Sequence, residues 1–443
     1  MIRLKMIYYL AAISLGFAIG LKVVPDTLVL AGYAGILLFA LISYINNKQS
    51  TFIAFLILAA FLEPYARTYL LPAPYLTLQY FIIGVALYTL VFKDQNSKYR
   101  YAGLIYFGLF FLVEMLSSVR GIELRYTTGI LTQTAAMLSF LYLGSKFYVS
   151  QAETENYLEV IFISALILSS IISVVYLRGN IQWTSASNFE TSGGMGPVQI
   201  SFYLAIGAFA GLYGWFTSKG LSKMIYLFLS LVIVIVMVLT FSRGGLYMLG
   251  LMIGVGFFFQ KKRRFVFLVI PLSILAFWGV GFVADVTEGK IIDRYTQDGS
   301  SSRDLLVIYG WDMFLENPAT GIGTANYYFE VKKKKYLGMM SGAHNEIIRS
   351  FAEHGFIGGV LWLLFYISSL IQVNKREGFY RQIAMVLLLV FLASTFHNGL
   401  KLALQSLILM IAIASRPTQK PFCKKNAEVK RYVEQRTPFM TAG

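Results

Sequence analysis

The chain has 443 residues, of which only 14% are Asp, Glu, Lys or Arg and 57% are apolar or aromatic, with a mean hydropathy of +0.64. Soluble domains carry about 25% charged residues, so this balance excludes a soluble enzyme and a disordered chain. A single cysteine, Cys423, excludes an internal disulfide framework or a cysteine-built metal cluster. The charge is +16, from 38 basic and 22 acidic residues. In a soluble protein such an excess suggests nucleic acid; in a membrane protein it first reports topology, and no nucleic-acid partner is expected.

A bilayer-crossing helix needs about 20 mostly apolar residues. Fourteen segments qualify, at about 7–23, 28–45, 50–64, 75–92, 102–119, 128–148, 158–176, 196–216, 224–241, 244–260, 265–284, 356–373, 379–396 and 398–415. The third is short, and the last pair, flanking His397, can also form a re-entrant hairpin, so the expected fold is an all-α polytopic bundle of 12–14 spans. The first stretch lacks a small-residue cleavage site and reads as a retained span.

The positive-inside rule orients the set. With the N-terminus inside, Arg3, Lys5, Lys48, Lys93, Lys98, Arg100, Lys219, Lys223, the run Lys261 to Arg264, Lys375, Arg376, Arg381 and the tail from Arg416 are all cytoplasmic. Two long connections then face outward, at about 177–195 and 285–355, together with His344, His354 and His397. Long loops in compact proteins usually carry function. The expected divisions are N-terminal spans 1–195, a core 196–284, the external loop 285–355, C-terminal spans 356–415 and a basic cytoplasmic tail 416–443.

Fifteen basic residues remain on the outer side, against the topological bias: Lys22, Lys290, Lys332 to Lys335, Lys401, Arg67, Arg120, Arg125, Arg178, Arg243, Arg294, Arg303 and Arg349. A guanidinium presents a planar fork matched to phosphate oxygens. Arginines at a bilayer surface therefore suggest a membrane-bound anion such as a lipid diphosphate, while headgroup contacts and local ion pairs remain open. Arg67 and Arg178 are candidates of this kind, although Arg67 stands at ion-pair spacing from Glu63.

Two arginines stand above that background. Arg243, in Phe241-Ser242-Arg243-Gly244-Gly245, opens the tenth span at its outer end. A helix N-terminus favours an anion, and the glycines would admit it to the backbone, making Ser242, Gly244 and Gly245 binding candidates. A tight hairpin with a snorkelling arginine fits the same residues. Arg303 follows the cap candidate Ser302 and opens an amphipathic stretch through Phe314, with Asp304 or Asp298 as alternative partners.

In Ser341-Gly342-Ala343-His344-Asn345-Glu346, Ser341 as cap would place His344 in the first helical turn, where the dipole favours the neutral ring that a general base needs. His354 reads as interfacial filler and His397 as a second candidate base. Pro318 should end the helix before Gly321-Ile322-Gly323, which is no dinucleotide fingerprint. Asn326 to Phe329 offer aromatic faces for sugars or for the loop's own packing, and Lys332 to Lys335 offer contacts to headgroups or water. No Asp-x-Asp pair occurs among the external acids, and nothing argues for a metal. Glu114, inside the fifth span, is expected to orient an arginine or bind an acceptor sugar.

Ser242-Arg243-Gly244-Gly245, Ser302-Arg303-Asp304, Glu316-Asn317-Pro318, Gly321-Ile322-Gly323, His344-Asn345, Glu353-His354-Gly355 and Gly358, in this order, resemble the O-antigen ligase and polymerase superfamily over roughly residues 200–375. The resemblance implies a GT-C-like inner-membrane glycosyltransferase, inverting and without metal or other cofactor. Such enzymes take a glycan from undecaprenyl diphosphate and pass it to a hydroxyl. It assigns Arg243 and Arg303 as diphosphate clamps and His344 as base or acceptor-orienting group, with Asn345 beside it. The preferred expectation is a polymerase of lipid-linked repeat units, with a glycan or lipid-linked acceptor, membrane lipids, and a chain-length regulator and flippase as partners. A ligase acting on lipid A–core is the near alternative; a polysaccharide-lipid flippase is the alternative of another class.

Overall fold

The computed structural model describes residues 2–70, 76–93, 101–179, 181–184, 187, 189–260, 281, 283–296, 303–333, 342–396 and 402–416. Most of the span expected at 265–284 lies outside them, as do Lys261 to Arg264, Ser302, Lys334, Lys335, Ser341, His397, Lys401 and the tail beyond Arg416. The described residues are mostly helical, with one isolated bridge between Val149 and Ser415.

Every other expected span is a helix. The first ten are α1 (Ile2–Gly20), α2 (Asp26–Ile45), α3 (Gln49–Tyr69), α4 (Thr77–Phe92), α5 (Ala102–Ser117), α6 (Leu124–Lys146), α7 (Gln151–Leu177), α8 (Pro197–Thr217), α9 (Gly220–Leu239) and α10 (Arg243–Gln260). Three short helices follow, α11 (Lys290–Thr296), α12 (Arg303–Glu316) and α13 (Tyr327–Lys333). The chain then re-enters the bundle as α14 (Glu346–Asn374), α15 (Gly378–Thr395) and α16 (Ala403–Ala414). Among the described residues, eight helices are long and apolar enough to cross a membrane, and three more are apolar but shorter.

Two spans differ from expectation. The third was expected to stop at residue 64, yet α3 runs through Pro64 to Tyr69. The buried Glu63–Arg67 pair, 2.6 Å apart, ties the turn that follows the proline. The last span is only 12 residues, about 18 Å at 1.5 Å per residue, short of the roughly 30 Å hydrocarbon core. All of α16 is buried against α6, α15 and α3, so its open backbone groups need protein partners. Glu63 accepts from the Ala403 N–H at 3.0 Å at one end, and Arg376 donates to the carbonyls of Ile413 at 2.9 Å and Ser415 at 2.6 Å at the other. A carboxylate at the N-terminus and a guanidinium at the C-terminus both match the helix dipole.

The described helix ends sort into two faces. At one face Gln49 bonds Tyr148 O at 2.8 Å, Lys93 bonds Tyr44 O at 2.7 Å and Arg416 bonds Ser145 O at 2.8 Å. At the other, the loop face, Tyr69 bonds Gly193 O at 2.6 Å, Thr191 bonds Thr240 O at 3.2 Å and Arg120 bonds Thr320 O at 2.6 Å.

On the loop face α12 and α13 form a small layer with its own core of Leu306, Tyr309, Met313, Tyr327, Val331, Ala343 and Ala352. Its anchor is a kink in α14 at Gly355 (φ 65°, ψ −160°). The kink frees backbone groups that the 318–323 loop then satisfies. Ile322 N donates to Ala352 O at 2.9 Å, Gly323 N to Glu353 O at 2.9 Å, and Phe356 N to Pro318 O at 2.8 Å. A Cβ on Gly355 would lie 2.7 Å from the Ala319 backbone, and one on Gly321 would lie 2.3 Å from that of Glu353. The Gly355 backbone is essentially glycine-only. Gly355→Ala is therefore expected to lower stability by about 1–3 kcal/mol and loosen the loop. A lower melting temperature and faster proteolysis within 317–345 would show it; an unchanged protein would refute it.

Candidate functional site

The site begins at the turn between α9 and α10. Thr240 closes α9 and Phe241 takes a left-handed backbone (φ 57°), unfavourable for a bulky side chain by about 1–2 kcal/mol. Packing offsets that strain. The buried Phe241 ring stacks on Trp183 at 5.5 Å, and Trp183 stacks on Tyr176 at 6.1 Å. The 177–195 connection thus supports the turn from beneath. Arg243 is then the first residue of α10, as expected from the sequence.

Arg303 likewise opens α12. Burial holds its guanidinium below its ordinary pKa, and the positive charges of Arg294 and Arg243 add to that effect. The two sequence-assigned arginines therefore act on one another across a gap of sixty residues, and Arg294 joins them. Arg294 reaches the group from α11, whose Ile291 shares a core with Phe241 and Leu239. Its Nε donates to the Phe241 carbonyl at 3.2 Å. Sequence reasoning counted Arg294 only among the outer basic residues; its part depends on how α11 docks.

His344 differs from expectation. It does not lie in the first turn of α14: Asn345 is the N-cap, its Oδ1 accepting from Ile347 N at 3.0 Å and Ile348 N at 3.2 Å. His344 stands just before the cap with a left-handed backbone (φ 48°). Asparagine caps at least as well as serine, which shifts the helix start. Ala343 packs in the same small core as Leu306, one turn along α12 from Arg303. That shared core ties the histidine's loop to the arginine's helix. Asn345, a binding candidate, is occupied as the cap.

Glu114 does orient an arginine, and that arginine is Arg349. Arg349 NH1 lies 3.0 Å from Glu114 Oε1 and 2.9 Å from Glu353 Oε2, and its Nε lies 2.7 Å from Glu346 Oε2. All four side chains are less than 10% exposed. His354, expected at an interface, is fully buried instead, with Nε2 3.5 Å from Glu114 Oε1 and its ring edge-on to Phe110. The kink at Gly355 turns it inward. The network also holds the loop layer: Glu353 Oε1 accepts from Tyr327 N at 3.2 Å, and the Glu114 carbonyl accepts from Thr324 Oγ1 at 2.7 Å.

The remaining candidates have other partners. The buried Ser242 hydroxyl accepts from Ser201 Oγ at 2.9 Å. Gly245 lets α10 approach α8, since a Cβ there would lie 2.7 Å from Ser201 O and 2.9 Å from Met237 Sδ. Its need for glycine is thus met by helix packing, not by ligand access. Gly244 is buried beside it in the first turn of α10. Arg67 is buried on Glu63, and Arg178, at the end of α7, reaches Gly20 O at 3.5 Å. Tyr327 is fully buried, and Tyr328 and Phe329 lie against Tyr126 at 5.3 and 5.5 Å. Among the described residues, no group of three or more His, Cys, Asp or Glu is placed to hold a metal ion.

A comparison with the curated proteins finds no match. A scan of family models matches residues 227–363 to the family described as O-Antigen ligase. The matched segment runs from α9 through the loop layer to the kinked start of α14, and so contains Arg243, Arg294, Arg303, His344 and Arg349. The chain is thus an all-α, multi-pass membrane protein by its described helices, and its residues 227–363, under a third of its length, are similar to the O-antigen ligase family.

Proposed function

We propose that the protein is a polymerase of surface polysaccharide, extending glycans carried on undecaprenyl diphosphate at the outer side of the bacterial cytoplasmic membrane. The observation that carries this reading is that Arg243 and Arg303 each open a helix at the loop face, with Arg294 bonded to the turn that precedes Arg243. Like charges held together raise one another's energy, and a bound polyanion reverses that sign. The basic excess at the opposite face supports an outward loop face, with both termini cytoplasmic.

In this mechanism an acceptor hydroxyl, hydrogen-bonded to His344, attacks the anomeric carbon from the side opposite the diphosphate. The new C–O bond forms as the bond to the diphosphate oxygen breaks, with inversion. The hydroxyl proton passes to His344 and the bonding electrons leave on the diphosphate, where Arg243 and Arg303 stabilise the growing charge. Lipid diphosphate is an activated leaving group, so positioning and electrostatics suffice and the reaction as written uses no metal or cofactor. A chain-length regulator and a flippase would act beside it.

The test is the purified full chain in lipid nanodiscs with undecaprenyl-diphosphate-linked repeat units as sole substrate. A ladder of longer lipid-linked glycans is expected. The family description favours one alternative, a ligase. Transfer that appears only when lipid A–core is added would establish that alternative and overturn the polymerase reading.

A further inference from the structure

The sequence pattern makes α12 amphipathic, yet in the structure the helix is apolar on two sides. Leu306, Tyr309 and Met313 face inward, into the small core of the loop layer. Val307, Ile308, Trp311 and Leu315 lie on the opposite side at helical spacing, and all four are exposed, Ile308 at 53% and Leu315 at 59%. A helix apolar on both sides belongs inside a protein or against lipid, and a continuous exposed apolar row marks an interaction surface.

The position of α12 names the neighbour. Past the kink at Gly355, α14 presents Phe356, Ile357, Leu364 and Ile367 outward at helical spacing. They form the exposed side of a helix long and apolar enough to cross a membrane. The C-terminal end of α12 lies beside the start of that side: the Phe356 N–H donates at 2.8 Å to the carbonyl of Pro318, two residues after the helix stops. Trp311 and Phe314 pack on the ring of Phe351 at 6.0 and 5.2 Å. Phe351 in turn lies so close over Gly359 that a Cβ there would be 2.3 Å from its ring. The rings of α12 therefore reach the level at which α14 enters the bilayer, and the exposed apolar surface continues from that span onto α12. Tryptophan is enriched at this level of a membrane. Asp304, in the first turn, shares the outward side, so the helix dips toward Leu315 and keeps its first turn nearest water.

We propose that the outward side of α12 is a membrane-docking surface, seated in the leaflet at the loop face where headgroups meet acyl chains. Leu315 is its deepest residue, and Asp312 and Glu316, at the edge of the row, stay in water. The loop layer is thereby held down on the bilayer by the helix whose other side forms its core. This contact needs only a lipid surface and does not rest on the glycan-transfer reading.

The experiment places a nitroxide on the purified full chain, freed of its own thiol by Cys423→Ser, in nanodiscs of phosphatidylethanolamine and phosphatidylglycerol. The labelled variants are Ile308→Cys, Leu315→Cys and, as a water-side reference on α13, Lys333→Cys. Oxygen concentrates in hydrocarbon and a nickel chelate stays in water, so collision with each reports depth. The labels at Ile308 and Leu315 are expected to favour oxygen, about 5–10 Å inside the phosphates, with Leu315 the deeper. The label at Lys333 should favour nickel. Nickel-dominated collision at Ile308 and Leu315 would overturn the inference. So would shielding from both reagents, which would mean that another part of this chain or a second copy covers the face. A second measurement needs no cysteine and decides if those variants fail to fold. The tryptophan emission lost in Trp311→Phe should be quenched by lipid brominated near its headgroup; an unquenched difference overturns the proposal.

Discussion

Arg303→Ala is expected to slow glycan transfer by about 10²–10³-fold, the loss typical of removing one preorganised donor from a developing oxyanion, while the melting temperature holds or rises. The second half of that expectation follows from the surroundings of Arg303. Burial disfavours its charge, and the charges of Arg294 and Arg243 disfavour it further. Removing a charge that its buried surroundings disfavour costs the free protein little, so what is lost is function. This is the usual exchange between a strained binding site and stability. The comparison is between Arg303→Ala and wild type, assayed for transfer and for thermal unfolding in the same detergent. A variant that melts earlier and retains most of its activity would make Arg303 a packing residue.

Arg349→Ala should behave in the opposite way. Its guanidinium meets Glu114, Glu346 and Glu353 at 3.0, 2.7 and 2.9 Å inside the protein. Taking away one partner of a buried ionic cluster typically costs about 3–5 kcal/mol, because the partner charges stay buried without compensation. Here three carboxylates would be left together, with His354 close to Glu114 and Glu353. The same carboxylates hold the loop layer through Tyr327 and, by the Glu114 backbone, Thr324. Poor accumulation in the membrane and early thermal unfolding are therefore expected for Arg349→Ala. An unaltered melting temperature would show that the network adds little to stability. The two arginines are alike in sequence terms, outer and basic, and are separated only by which charges the fold brings to each.

That contrast shows what local sequence can and cannot carry. The helix starts at Arg243 and Arg303 were legible, because glycines, serines and the onset of apolar periodicity mark them locally. The Glu63–Arg67 pair was legible from its spacing, and Pro318 from its effect on a helix. Glu114 was legible as a carboxylate that orients an arginine; which arginine was not, since Arg349 lies 235 positions away. His344 was placed one turn too deep because Ser341 and Asn345 are both good caps and only the packing of Ala343 decides between them. The inward turn of His354 follows from the backbone of Gly355, a conformation that a glycine permits without announcing. The stopping of α16 short of a full span depends on Glu63 and Arg376, two charges supplied by other helices. Arg294 joins the site only because α11 docks on Phe241.

Arg243, Arg303 and His344 are proposed to serve the transfer of a glycan from a lipid diphosphate. That role is tested most directly by measuring undecaprenyl diphosphate released by purified protein supplied with lipid-linked repeat units. The wild type should release one diphosphate for each glycosidic bond formed, and Arg243→Ala and His344→Ala should each release almost none. Wild-type release by both variants, at normal expression, would remove Arg243 and His344 from the reaction.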